Sequence, residues 1–80
     1  MNTQMLKKAA VTLVTAANQR RDSETFSFSS LDVLRLTGLS LHDFDLRFNL
    51  MWELMELDRV NDCEVGPDEV EIIFAKEAVA

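Results

Sequence analysis

From Leu41 to Arg59 the chain reads LHDFDLRFNLMWELMELDR, and the spacing of its apolar residues predicts a helix. At about 100° per residue they fall on two arcs. Leu41, Phe44, Phe48, Met51, Trp52 and Met55 share one, and Leu46, Leu50, Leu54 and Leu57 take the opposite one. His42, Asp45, Asn49, Glu53 and Glu56 separate the arcs on one side, and Asp43, Arg47 and Asp58 on the other. A helix apolar on both faces must be covered on both, because four leucines in a row would be an unusually large exposed patch for a monomer. Two arrangements satisfy that requirement. The helix is central, with the other helices on one side and a hairpin or the chain ends on the other. Alternatively, one stripe, or the edge formed by Met51, Trp52 and Met55, meets a second molecule, since aromatic and Met side chains are enriched at such surfaces.

Eighty residues make one domain, 1–80, with a thin core, so a small chain of this kind gains buried surface by dimerising. Two Gly and one Pro leave few breaks in regular structure. The single Cys63 has no partner for an internal disulfide, and the first 21 residues lack the apolar core of a signal peptide or membrane span. A cytoplasmic location is the expectation. The net charge of −6 is uneven: Lys7, Lys8, Arg20 and Arg21 stand without an acid in residues 1–21, leaving −10 for residues 22–80. Most of the chain therefore repels a phosphate backbone.

Residues 5–17 place Met5, Leu6, Ala9, Ala10, Leu13, Val14 and Ala17 at three- and four-residue steps, an amphipathic first helix expected to end near Arg20 and Arg21. In TFSFSS the period becomes two, as in a short half-buried strand. Ser29 or Ser30 is a good N-cap for a second helix, LDVLRL, with Asp32 at capping-box spacing from Ser29. Gly38 suits a left-handed helix end, and Ser40, with Asp43 three residues on, is the expected cap of a third helix running to about Leu57. Two extended runs around Gly66-Pro67-Asp68 then predict a closing hairpin in which Val70, Ile72 and Phe74 alternate with acids. The expected fold is mainly α with a small β-hairpin: three helices and a short antiparallel sheet.

The segment FSSLDVLRLTGLSLHDF is similar to the Leu-x-x-x-Thr-Gly-Leu-Ser segment of bacterial winged-helix regulators, and the element order over residues 5–75 resembles the winged helix-turn-helix superfamily. The resemblance implies a third helix in the major groove and a wing on the backbone or minor groove. Two features depart from it. The hairpin from Asp62 to Glu71 carries Asp62, Glu64, Asp68, Glu69 and Glu71 with no basic residue, and the third helix opens with His42, Asp43 and Asp45 where base reading needs donors. The third helix is also expected to be about one turn longer than is usual for a recognition helix.

A non-enzymatic, winged-helix-like interaction or regulatory module follows, homodimeric through the third helix. Its expected partner face is Leu46, Leu50, Leu54 and Leu57 with Trp52 and Met51. A DNA-binding transcriptional regulator is the alternative, using Arg35, Arg47, Asn49, Lys7 and Lys8; a further one is an acidic, phage-type inhibitor that mimics nucleic acid. His42 has no second ligand at metal-binding spacing, Cys63 is flanked by Asp62 and Glu64, and no phosphate loop or nucleophile–base set is present. Neither enzyme, cofactor, metal nor small-molecule substrate is expected, and the partner is a protein or a second copy.

Overall fold

The computed structural model describes residues 3–76, in the order α1 (Thr3–Arg20), β1 (Thr25–Ser29), α2 (Ser30–Thr37), α3 (Phe44–Met55), β2 (Val60–Val65) and β3 (Glu69–Phe74). The outermost residues of the expected 1–80 domain, 1–2 and 77–80, lie outside that description. Along α1, Leu6, Ala9, Ala10, Leu13, Val14 and Ala17 are all buried while Lys7, Lys8 and Thr15 stay exposed, as the three- and four-residue spacing requires. Just past its last turn, Arg21 donates from Nε to Asn18 Oδ1 at 3.0 Å. Its guanidinium lies 4.2 Å from the Phe74 ring centre, joining the exit of α1 to the end of β3.

Local chemistry sets the bounds of α2. Ser29 Oγ accepts from the Asp32 N–H at 3.1 Å, and Gly38 closes the helix at φ 75°, its N–H donating to Leu34 O at 2.8 Å. The start of α3 differs from expectation. Ser40 Oγ accepts from His42 N–H within a turn, while Asp43 is the cap, its Oδ1 accepting from Asp45 and Leu46 N–H at 2.9 and 3.3 Å. A carboxylate is favoured over a hydroxyl at the positive end of a helix dipole. The helix is accordingly 12 residues long, and the extra turn expected of it is not found. Leu41, released from the helix, turns inward and is buried instead of joining the Phe44 arc.

The closing hairpin does not stand alone. β1 pairs antiparallel with β3, giving a three-stranded sheet of order β1-β3-β2 and an α+β fold, not a mainly α one with a small hairpin. Register places Phe26 opposite Ile72 and Phe28 opposite Val70 on one side of β3, and Cys63 and Val65 opposite the same two residues on the other. These side chains face the helices. Asn61 is the extra residue of a bulge: Val60 pairs with Phe74 and Asp62 with Ile73, so Val60 and Cys63 both point inward although three residues apart.

The helices and the inner sheet face share one core, with α3 packed against both α1 and β2. Leu46, Leu50 and Leu54 are buried there and Leu57 is half-buried against it. The partner face expected from the leucines is therefore corrected: the chain covers that stripe itself, with both α1 and β2 packed against α3. Leu50→Ala is expected to destabilise the fold by about 2–5 kcal/mol through a cavity at a fully buried site. Gly38→Ala costs roughly 1–2 kcal/mol from left-handed backbone alone, since no atom lies within 4 Å of the added carbon. Urea unfolding of both variants measures the contrast.

Candidate functional site

Burying the leucines leaves the opposite arc of α3 outside. Phe44 is 69% exposed, Phe48 50%, Trp52 54% and Met55 40%, with Met51 half-buried beside them. Phe48 and Trp52 meet edge to face, ring centres 6.1 Å apart, as residues four apart on a helix do. Arg47 lies 5.7 Å from the Phe44 ring centre and donates to Leu41 O, which fixes the first turn of the ridge to the α2–α3 connection. Aromatic side chains of this size leave roughly 300–400 Å² of ring surface in water at these exposures. That is of the order of the largest apolar patch on an ordinary monomer, a patch that is often functional.

The flanks of the ridge differ in charge. Asp45, Asn49 and Glu56 lie along one edge, and Arg47 along the other, beyond Met51. Asn49 donates from Nδ2 to Asp45 O at 2.8 Å, and Lys7 reaches from α1 to Glu53 and Glu56 at 3.5 and 3.7 Å. Of the residues considered for nucleic acid, Lys7 is thus spent on α3 acids, and Arg47 and Asn49 sit on opposite flanks. Lys8 and Arg35 are exposed on other helices. The structure brings no basic track together along α3.

Comparison of the chain with protein-family models, curated proteins and solved structures finds no match. The site therefore stands on its own chemistry. Among the described residues no helix is long and apolar enough to cross a membrane, and no group of three His, Cys, Asp or Glu side chains is placed to hold a metal.

The second charged feature is the outer face of the sheet. Asp62, Glu64, Glu69 and Glu71 point away from the helices, with Glu64 directly opposite Glu71, and only Thr25, Ser27, Ser29 and Ile73 share that face. Asp68 lies in the connecting turn. Among the described residues the ion pairs are those of Lys7, so these acids are unneutralised.

Sequence reasoning offered the Met51, Trp52 and Met55 edge as an alternative contact but did not include Phe44 and Phe48 in the expected partner face. A helical projection of α3 alone carries no signal that separates the two apolar arcs. Cys63 on β2 donates weakly to Met51 O at 3.7 Å, and burial, reinforced by Asp62, pushes its thiol up to about 11. The thiolate is thus scarce at neutral pH and a nucleophilic role is disfavoured. With the ordinary value at 9.0, iodoacetamide at pH 8 is expected to alkylate native Cys63 about 100-fold more slowly than the urea-unfolded chain. Because the folded value is the higher one, stability linked to the protonated thiol is intact below pH 9 and falls as pH rises through about 11. Equal alkylation rates in both states would contradict this placement of the thiol.

Proposed function

We propose that the chain is a non-enzymatic, winged-helix-like regulatory module that docks onto protein through the outward face of α3. The element order, the Gly38 turn and the β1-β3-β2 sheet are compatible with winged-helix architecture. One observation carries the reading: the helix that such a fold offers to the major groove exposes Phe44, Phe48, Trp52 and Met55. Base edges are read by hydrogen-bonding side chains, whereas an exposed row of rings gains free energy by leaving water against another apolar surface. Acids on one flank and an acidic wing disfavour a duplex further.

The outer sheet face supports a second reading, an acidic inhibitor that occupies a nucleic-acid site on another protein. Its carboxylates repeat every second residue along two neighbouring strands, about 6.8 Å apart within a strand, with no Lys or Arg between them.

A photoreactive phenylalanine analogue placed in turn at Phe48, Ser27 and Glu64 in the source cells separates the readings. Irradiation is expected to give a protein adduct from position 48 and none from positions 27 and 64. Adducts from 27 and 64 alone would transfer the function to the acidic sheet face, and failure at all three would remove the docking reading.

A further inference from the structure

We infer that the surface covering the outward face of α3 is α3 of a second copy of this chain, the two helices running parallel about a twofold axis beside Phe48. The inference rests on the docking reading above and names its partner.

Shape favours a helix as the covering element. The outward face is a ridge of Phe44, Phe48, Trp52 and Met55. The larger hollows of the surface lie elsewhere, around Asn18, Arg21 and Glu24 beyond the end of α1, and between α1 and the end of α2 at Met5, Ala9 and Leu36. A straight convex ridge is covered along its length by another helix, whose side chains interdigitate with it. Area favours an equal partner. A stable interface takes about 800 Å² from each side. The exposed rings supply roughly 300–400 Å² of this, and Met51, Met55 and the flanks add to it. The same patch thus serves both sides of an isologous contact.

Charge then selects the orientation. In a twofold pair of parallel helices, opposite flanks meet, and Arg47 comes beside the Asp45 of the other copy, twice. In an antiparallel pair, like flanks meet from opposite ends, and Asp45 comes beside the Glu56 that Lys7 already pairs, also twice. The first arrangement gains an attraction that the second lacks. Arg47 keeps donors for this pairing, since a guanidinium has five N–H groups and the bond to Leu41 O uses one. The unneutralised acids of the sheet do not oppose the pairing, because Asp62, Glu64, Glu69 and Glu71 face away from the helical layer.

Sedimentation equilibrium of the wild-type chain at micromolar concentration is expected to give a dimer. Phe48→Asp is expected to weaken it by about 30-fold or more while far-UV circular dichroism and the folded baseline stay unchanged. Orientation is read on a Cys63→Ser background, with Phe44→Cys and Met55→Cys made separately and oxidised. Positions 44 and 55 are about 16 Å apart along the helix. A parallel pair brings each close to its own counterpart, so both variants form disulfide-linked dimers; an antiparallel pair separates the counterparts beyond disulfide reach and neither does. A chain that is monomeric throughout overturns the inference, as does a dimer that survives Phe48→Asp or fails both oxidations. If that monomer still forms an adduct with a different protein from position 48, the docking reading stands without its self-partner. If it forms none, both fall.

Discussion

The packing of Leu46, Leu50 and Leu54 between α1 and β2 is the contact on which the rest of the molecule depends. It fixes the rotation of α3 about its own axis, and on a helix with two apolar arcs that rotation decides which arc becomes surface. Turning α3 by half a revolution would bury Phe48 and Trp52 and expose the leucines, and the rings would need more room than the close-packed leucines now fill. Lys7 reinforces the choice from outside by reaching Glu53 and Glu56, which it meets only in this rotation. The exposed Lys7–Glu56 pair contributes little stability, since side-chain entropy and screening offset most of the attraction.

Most of the architecture was legible because it follows short-range rules. The α1 stripe, the Ser29 cap, the left-handed Gly38 and the inward alternation of Val70, Ile72 and Phe74 each need only a few neighbouring residues to be read. The start of α3 was not, because Ser40 and Asp43 are both competent caps and the outcome depends on Leu41 finding a place in the core. The third strand pairing was likewise hidden. Nothing local in TFSFS indicates that it will lie against β3, which is more than 40 residues away in the chain.

The candidate site was half legible for the same reason. Two apolar arcs are a property of α3 alone, whereas which arc stays outside is a property of α1, β2 and α3 together. Trp52 stays exposed with Met51 half-buried beside it, whereas the leucines are covered, and a helical projection treats both arcs alike. The acids of the wing were plain from composition, but their segregation onto one face required the register, which sets Asp62 opposite Ile73 and Glu64 opposite Glu71.

Those acids have a consequence for how the molecule can associate. β1 and β2 are both edge strands, and an edge with free N–H and C=O groups invites pairing with another copy. On β2 that route is blocked twice: the bulge at Asn61 breaks the regular ladder, and Asp62 and Glu64 would meet their own counterparts across a two-stranded joint. The Glu64–Glu71 pairing is unfavourable within the sheet, so its outer face is held by the apolar pairs behind it and not by its own side chains. An outer face of unneutralised acids that repels its like leaves the sheet a poor surface for self-association. The aromatic ridge of α3, with acid on one flank and Arg47 on the other, has the opposite character, and it is there that contact between two copies is least opposed by charge.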